Sequence, residues 1–270
     1  MAVLGGGITG ALVAYHLARA GVETVLFDKR DVGTGSTAAS TALLQYAADT
    51  ELIELIPLVG ESHAVRSYQL GLEAIDKLAE LVQQLGDRCG FERKETLYLA
   101  SKKSHLAGLR REYELRLRHG FEVQYLEPRE IEARFPFTAS GAILTAGDAQ
   151  VDAFRLTNRL LQNAVELGLR VYDRCAVSHV ESTDDHVVLT AERGFTVTAR
   201  RVVFATGYET QRYLKQDIGT LHSTFALVSE PLTPFPVWPG RCLIWETARP
   251  YFYLRTTADD RCERIGSGRP

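Results

Sequence analysis

Three glycines near the start of the chain, in the stretch AVLGGGITGAL, constrain the fold more than any other feature of the sequence. Gly5, Gly7 and Gly10 stand at the spacing GxGxxG, between a short apolar strand and a helical pattern that closes at Gly21. A second apolar strand, VETVLFD, ends at Asp28, roughly 20 residues beyond the last glycine. Glycines also serve ordinary tight turns, but strand, helix, second strand and acid together predict a βαβ unit with parallel strands.

Each glycine of this unit has its own role in binding a dinucleotide. Gly5 permits the tight turn, Gly7 lets the backbone approach a pyrophosphate, and Gly10 lets the helix pack closely on the strands. The unpaired N–H groups at the helix start face the anion, and Asp28 can accept hydrogen bonds from ribose hydroxyls. The sequence therefore predicts a dinucleotide site, although the glycines alone do not distinguish FAD from NAD.

The rest of the chain alternates between helical and strand patterns, which predicts an α/β fold with a second, mainly antiparallel layer. The predicted helices are GESHAVRSYQLGLEAIDKLAELVQQLG, LAGLRREYELRLRHG, EPREIEARFP and, after a strand and a polar turn, the helix capped by Asp152 in GAILTAGDAQVDAFRLTNRLLQNAVELG. Strands are predicted in ETLYLAS, in a β-meander of LRVYDRCAVSHV, HVVLTAE and FTVTA, and in RRVVFATG, HSTFALVSE, RCLIWE and PYFYLR.

Composition excludes several classes of protein. Apolar residues make up 45% and charged residues 24% of the 270 residues, which excludes a disordered or fibrous chain. The net charge of −3 and the scattered basic residues predict no nucleic-acid partner. No apolar run approaches the roughly 20 residues of a membrane span, and the N-terminus lacks the pattern of a signal peptide. The four cysteines show no CxxC pair and no metal-ligand spacing, which predicts reduced thiols, no metal and a cytoplasmic location.

Taken together, these motifs resemble the D-amino-acid oxidase-like family of FAD-dependent oxidoreductases, which includes glycine oxidase and sarcosine oxidase. The resemblance covers residues 2–260, and its markers are GGGITG, Asp28 followed by Arg30, GTGSTAAS, DAQVDAFRL, FATG and YFYLR. It implies a Rossmann-like FAD-binding domain of residues 1–45 and 146–208, interleaved with a mainly antiparallel substrate domain of residues 46–145 and 209–258. Residues 259–270 depart from the pattern as an atypical tail.

The resemblance also implies which residues hold FAD. Asp28 would bind the adenosine ribose, and the backbone of Val177 would meet adenine. The complete implied set is Gly5, Gly7, Thr9, Gly10, Asp28, Lys29, Arg30, Ser36, Thr37, Ser40, Thr41, Val177, Ala205, Thr206 and Gly207. Turn or helix capping remains an alternative role for Ser36 and Ser40.

In this family the flavin carries the chemistry, and the resemblance implies oxidation of the C–N bond of a small amino acid or secondary amine. Hydride passes to flavin N5, the resulting imine is hydrolysed, and oxygen or another acceptor takes the electrons; no catalytic side chain is assigned. A bidentate arginine is the natural anchor for a substrate carboxylate. Arg255 resembles the family's anchor, Arg249 is the rival, and Tyr251 and Tyr253 would wall the pocket. The alternative is a surface arginine beside core tyrosines.

The end of the chain limits this hypothesis. TTADDRCERIGSGRP lacks the apolar strand and the glycines with which the family continues, so we expect the housing of the flavin ring to be incomplete. A truncated, non-catalytic remnant with weak or no nucleotide binding is therefore the alternative function. An NAD-dependent dehydrogenase is disfavoured by FATG and the β-meander.

Overall fold

A computed structural model describes residues 1–47, 49–221 and 224–266. The helices in these residues are α1 (Ile8–Arg19), α2 (Leu52–Val59), α3 (Glu61–Gln84), α4 (Leu106–Arg118), α5 (Pro128–Arg134) and α6 (Ala153–Glu166). The strands are β1 (Ala2–Leu4), β2 (Val25–Phe27), β3 (Leu43–Leu44), β4 (Glu92–Leu99), β5 (Val123–Leu126), β6 (Ala142–Gln150), β7 (Arg170–Tyr172), β8 (Val177–Ser182), β9 (Val187–Ala191), β10 (Thr196–Ala199), β11 (Val202–Phe204), β12 (Phe225–Val228), β13 (Leu243–Glu246), β14 (Phe252–Thr256) and β15 (Cys262–Gly266).

The chain forms two compact units. Unit 1 consists of Met1–Ser40, Val82–Cys89 and Asp152–Leu221, and unit 2 comprises the rest of the described chain. The sequence predicted that the chain passes between the two domains after residues 45, 145 and 208, whereas in the structure it passes between the two units after Ser40, Val151 and Leu221. In addition, the end of α3 belongs to unit 1. The second boundary lies later in the chain than predicted, because β6 extends to Gln150 and remains in its own sheet until α6 begins.

Unit 1 is built on a parallel sheet with the strand order β11-β1-β2-β7. Every residue of β1 and β2 is buried, as the continuous apolar runs predict for strands covered on both faces. The predicted βαβ unit is confirmed, since β1 pairs in parallel with β2 and α1 connects them. β11, the VVF strand before FATG, pairs in parallel with the other edge of β1.

The predicted first strand of the β-meander is two strands in the structure. β7 pairs in parallel with β2, and only β8 joins β9 and β10 in an antiparallel meander. The chain turns between them, where Arg174 has a positive φ of 48° and the amide of Cys175 donates to the carbonyl of Asp28 at 2.8 Å. The apolar side of the meander packs against β1 and β2 through Val187 and Leu189, which closes the core of this unit.

Unit 2 is built on a larger sheet with the order β12-β15-β14-β13-β4-β6-β3, to which β5 adds by pairing with β6. All of these pairs are antiparallel except β13 with β4, so the predicted mainly antiparallel layer is confirmed. One face of this sheet packs on α5 through Leu97, Ile131 and Ile244. Of the predicted strand HSTFALVSE, His222 and Ser223 lie outside the described residues.

The polar turn predicted in GAILTAGDAQVDAF is part of a strand. β6 continues through Asp148 to Gln150 and pairs there with β4 and β3. Asp148 is buried, with only 1% of the residue exposed. Its carboxylate tolerates burial because its Oδ1 accepts a hydrogen bond from the amide of Tyr46 at 2.9 Å. Burial raises the pKa of Asp148 to about 6. The helix cap predicted for Asp152 is confirmed, since its Oδ1 accepts the amide of Arg155 at 2.9 Å.

We expect Asp148→Asn to remove a pH dependence of the free energy of unfolding. The folded pKa of about 6 lies above the ordinary 3.8, so unfolding releases a proton between these values. The contribution of Asp148 to stability is therefore greatest below about pH 4 and is lost as the pH rises through 6, a change of about 3 kcal/mol. Urea denaturation of wild type and variant at both ends of this range measures it, with Asp184→Asn as an exposed control. An equal wild-type-to-variant difference at both pH values would contradict the assignment.

The described part of the predicted atypical tail is a regular strand, contrary to the expectation from its polar sequence. β15 lies between β12 and β14 and pairs antiparallel with both. Cross-strand pairs stabilise it in place of apolar burial, because Arg255 faces Glu263 and Tyr253 faces Ile265. Residues 267–270 of the tail lie outside the described residues.

All four cysteines are free thiols, and Cys89 and Cys242 are buried. Across residues 1–47, 49–221 and 224–266, no helix combines the length and the apolar character needed to cross a membrane.

Candidate cofactor and substrate sites

The turn from β1 into α1 has no room for side chains at two of the three motif glycines. Gly5 has a φ of +105°, and a Cβ there would stand 2.3 Å from the carbonyl oxygen of Ala205. A Cβ on Gly10 would stand 1.8 Å from the carbonyl oxygen of Gly5. The tight turn predicted at Gly5 and the close packing predicted at Gly10 are confirmed, and the segment FATG approaches the turn from β11.

Asp28, at the end of β2, holds the glycine turn through its carboxylate. Its Oδ2 accepts the amide of Gly6 at 2.7 Å, and its Oδ1 accepts the amide of Arg30 at 2.8 Å. A carboxylate oxygen can accept more than one hydrogen bond, so both oxygens retain acceptor capacity for a ligand's hydroxyl groups. Asp28 therefore both shapes the turn and presents acceptors beside it.

The start of α1 is suited to an anion. The amide of Ile8 donates to Thr37 Oγ1 at 3.1 Å, and the first turn of the helix contains no acidic side chain. A Cβ on Gly7 would stand 3.0 Å from the same hydroxyl, so only glycine leaves the first turn open. The partial positive charge of a helix start then favours a phosphate at this point.

These features surround a cavity of about 500 Å³ that lies wholly within unit 1. Eleven of the predicted cofactor residues line it: Gly5, Gly7, Thr9, Asp28, Arg30, Ser36, Thr37, Ser40, Ala205, Thr206 and Gly207. The lining also includes residues that the sequence did not single out, namely Ile8, Thr34, Gly35, Ala153, Tyr208 and Glu209.

Four predicted cofactor residues are placed elsewhere. Gly10 packs on the β1–α1 turn, and the ammonium group of Lys29 forms an ion pair with Glu209 at 2.7 Å. Thr41 begins unit 2, whereas the cavity belongs to unit 1. Val177 lines a second cavity of unit 1, also about 500 Å³, together with Phe27 and Tyr172.

Glu209 is the charged residue of the cavity that sequence reasoning missed. It follows FATG within a short 3-10 helix, Gly207–Tyr213, and the hydrogen bond from Lys29 lowers the pKa of its carboxyl group. No local pattern marks it, because its partner Lys29 is 180 residues earlier in the chain. The only available signal was its position directly after a strand that ends at the glycine turn.

The arrangement fits the adenosine and pyrophosphate parts of a dinucleotide. The glycines let the turn close tightly, because a Cβ at Gly5 or Gly10 would collide with backbone atoms. The helix start offers N–H donors. Asp28 offers acceptors at the distance along the chain that ribose recognition requires. The family described as FAD dependent oxidoreductase, DAO, matches residues 1–269. The chain belongs to this family. FAD is therefore confirmed as the cofactor, and the NAD-dependent alternative is rejected.

Individual relatives of the chain agree with the family match. Glycine oxidase of Geobacillus kaustophilus is 28% identical in a match 270 positions long, which covers 97% of this chain and 65% of that protein. Mitochondrial dimethylglycine dehydrogenase of Rattus norvegicus is 24% identical in a match 211 positions long, which covers 76% of this chain and 23% of that protein. The chain thus spans just under two thirds of the glycine oxidase and about a quarter of the dehydrogenase.

Solved structures confirm the predicted fold class. The crystal structure of glycine oxidase from Geobacillus kaustophilus matches with a TM-score of 0.79 and 23% identity, covering 99% of this chain and 70% of that one. L-proline dehydrogenase from P. horikoshii matches with a TM-score of 0.78 and 19% identity, covering 99% and 69%. The Rossmann-like fold with a second, mainly antiparallel sheet is shared with these structures.

The predicted substrate residues lie together in unit 2. Tyr253 and Arg255 alternate along β14, and Tyr251 directly precedes this strand in the same alternation, so the three side chains share one face. The Tyr253 hydroxyl lies 2.9 Å from the Tyr251 hydroxyl and 3.0 Å from Asp49 Oδ1. Burial raises the pKa of both tyrosines, so the hydroxyls stay protonated and can donate. Trp245 continues this aromatic face, with its ring centroid 6.4 Å from that of Tyr251.

Both candidate carboxylate anchors already have partners. Arg255 is not a surface residue, since its side chain is 15% exposed; its Nε forms an ion pair with Glu263 at 2.5 Å and its Nη1 donates to the carbonyl of Val151. Arg249 donates to the carbonyl oxygens of Ala248 and Asp49, both at 3.0 Å, and lies over the ring of Tyr251. Asp49 and Glu263 were not predicted, because a single sequence does not reveal which distant carboxylates pair with these groups.

No cluster of three histidine, cysteine, aspartate or glutamate side chains in the described part of the chain could hold a metal ion.

Proposed function

We propose that the chain oxidises the C–N bond of a small amino acid or secondary amine, as an FAD-dependent oxidase or dehydrogenase. When bound, FAD supplies the oxidation, by accepting a hydride at N5 from the carbon that bears nitrogen, and the imine product is hydrolysed. The observation that carries the proposal is the cavity of unit 1, where a closed glycine turn, a helix start and Asp28 converge in a chain of the matching family.

The residues of this chain would bind and orient the cofactor. The amides at the start of α1 would hold the pyrophosphate, with Ser36 and Thr37 adding hydroxyl donors. Asp28 would accept the ribose hydroxyls while it keeps the amide of Gly6 in place. Arg30, which also lines the cavity, supplies positive charge beside the adenosine half. Ala205, Thr206 and Gly207 would make the second backbone approach.

Arg255 would bind the carboxylate of an amino-acid substrate. The substrate carboxylate would replace Glu263 at the guanidinium group, an exchange of one charge-assisted pair for another. Tyr251 and Tyr253 would bound the substrate with aromatic surface and a donor hydroxyl. Arg249 is the weaker candidate, because its guanidinium group already donates to backbone carbonyls.

One observation favours the alternative of a non-catalytic remnant. Glu263 occupies the guanidinium group of Arg255 in the structure, and a permanent ion pair there would leave no anchor for substrate. Such a chain would retain the nucleotide cavity without turning over an amine.

Purified full-length chain reconstituted with FAD tests the two proposals. We expect a yellow protein whose flavin absorption is bleached anaerobically by an amino acid or secondary amine and restored by oxygen or another acceptor. Arg255→Ala is expected to raise the half-bleaching concentration of carboxylate substrates about tenfold or more, with little effect on amines that lack a carboxylate. Protein that cannot be reconstituted with FAD, or that takes it up only weakly and is bleached by neither class of substrate, would establish the remnant instead.

The proposed reaction also implies the partners of the chain and its location in the cell. Its partners are the amine or amino acid and an electron acceptor, with no nucleic acid. A cytoplasmic location is supported by the free thiols of all four cysteines.

A further inference from the structure

A short 3-10 helix, Gly207–Tyr213, follows β11 and lines the cofactor cavity of unit 1 through Tyr208 and Glu209. Lys29 lies just after the end of β2, next to Asp28. Because β11 and β2 pair in parallel with opposite edges of β1, both segments leave the sheet at the same end, on either side of the glycine turn. The ion pair between Lys29 and Glu209 therefore joins the two segments that flank this turn.

This ion pair involves both oxygens of the carboxylate and has a second cation beside it. The ammonium group of Lys29 lies 2.7 Å from Oε1 of Glu209 and donates to Oε2 at 2.8 Å. The guanidinium group of Arg212, within the same 3-10 helix, lies 3.3 Å from Oε2. The hydrogen bond from Lys29 lowers the pKa of the Glu209 carboxyl group, so this group is charged at neutral pH. Two cations of the protein therefore balance its charge.

The 3-10 helix has little buried surface to hold it in place. None of its seven residues is buried, and 3-10 geometry gives poorer hydrogen bonds than an α-helix does. The ring centroid of Tyr213 lies 4.4 Å from that of Phe204, a contact that is local in sequence. The Lys29–Glu209 ion pair instead links the helix to a segment 180 residues earlier in the chain. Because segments with little burial open most readily, the position of this helix depends on that ion pair.

The charge of Glu209 matters because the cavity is suited to an anion. The start of α1 and Arg30 favour the pyrophosphate, whereas a carboxylate without a cation would repel it. Lys29 reduces this repulsion when it pairs with Glu209. Loss of either partner would free the 3-10 helix, but loss of Lys29 alone would also leave the carboxylate with less positive charge to balance it. The two substitutions therefore have unequal expected effects, and the larger effect is at Lys29.

We propose that the Lys29–Glu209 ion pair holds the 3-10 helix at the cofactor cavity and thereby slows the release of FAD. Both are positioning residues, since they act through the neighbouring Gly207 and Tyr208, which line the cavity. The inference rests on FAD as the cofactor and not on the proposed oxidation of an amine. Chain that retains FAD through this ion pair but oxidises no amine would reject the proposed function and retain the inference.

Release of FAD from the reconstituted full-length chain tests the inference without any substrate. After dilution, flavin fluorescence reports the release rate of wild type, Lys29→Met, Glu209→Gln and the double variant. We expect release to be about tenfold faster in Lys29→Met and about threefold faster in Glu209→Gln, and the double variant to resemble Glu209→Gln. Glu23→Gln is the control, because Glu23 forms an ion pair of the same 2.7 Å length with Arg170 at the other end of the sheet. Its release rate should equal that of wild type.

The double variant distinguishes this ion pair from two independent contacts with FAD. If Lys29 and Glu209 each bound FAD directly, the effects of the two substitutions would multiply, to about 30-fold in the double variant. That result, or a wild-type release rate in Lys29→Met, would overturn the inference.

Trypsin cleavage after Arg212 provides a second measurement, on the flavin-free chain. The side chain of Arg212 is 73% exposed and belongs to the 3-10 helix, so the cleavage rate reports how readily this helix opens. We expect this bond to be cut about threefold faster in Lys29→Met and in Glu209→Gln, and at the wild-type rate in Glu23→Gln. Unchanged cleavage in both single variants would show that the ion pair does not hold the helix and would reject the proposal.

Discussion

Replacing Gly10 by alanine is expected to destabilise the protein by about 3 kcal/mol or more and to abolish FAD uptake. The added Cβ would stand 1.8 Å from the carbonyl oxygen of Gly5 and 3.4 Å from the Cβ of Ala205. The first of these is a backbone atom of the turn itself, so no side-chain rotation relieves the collision. The helix α1 must move off β1, and the amides at its start move with it.

The measurement is urea denaturation followed by circular dichroism, together with the flavin content of the purified variant. Gly108→Ala is the matched control, because Gly108 is also helical and a Cβ there is 3.9 Å from its nearest neighbour, Ile53 Cδ1. Alanine at that position is expected to be neutral or to stabilise α4 by up to about 1 kcal/mol. Wild-type stability and flavin content in Gly10→Ala would show that the close approach of helix and turn is not required.

Asp28→Ala is expected to weaken FAD binding about 100-fold or more while the chain remains folded. The substitution removes the acceptors offered to the ribose and also leaves the amides of Gly6 and Arg30 without their carboxylate partner. Because both amides belong to the turn that shapes the cavity, the loss combines a direct contact with the preorganisation of the site.

Flavin fluorescence quenching on titration of FAD into the flavin-free variant measures this effect. Asp31→Ala is the control, since Asp31 is an exposed neighbour whose carboxylate pairs with Arg174 at 2.6 Å. Asp28→Asn should fall between the two, because an amide oxygen still accepts one backbone N–H. Equal FAD affinities for Asp28→Ala and Asp31→Ala would reject the role proposed for Asp28.

The parts of the fold that the sequence predicted are those fixed by local patterns. The β1–α1–β2 unit, the cap at Asp152 and the alternation of Tyr251, Tyr253 and Arg255 each depend on residues close in sequence. Among the errors of secondary structure, those in β6, in the segment of β7 and in β15 arise because burial and distant partners override local polarity. Asp148 reads as a turn residue until the amide of Tyr46, 102 residues earlier, is seen to satisfy it.

The candidate site shows the same division. The glycines and Asp28 were predictable because the fingerprint is local, whereas Lys29 pairs with Glu209, and Arg255 with Glu263, across separations that a single sequence does not encode. Neither α2 nor the burial of Glu51 was predicted, because only the position of Tyr98 shows that this acid is buried.

The place of β15 in its sheet has a consequence for synthesis of the chain on the ribosome. Residues 225–228 form β12, whose partner in the described chain is β15, and residues 262–266 form β15 itself. While the intervening segment is being translated, β14 has one open edge and β12 has no neighbour to bond. The nascent chain can complete this end of the sheet only after residues 262–266 have left the exit tunnel, so this region is among the last of unit 2 to become protected from proteases and chaperones.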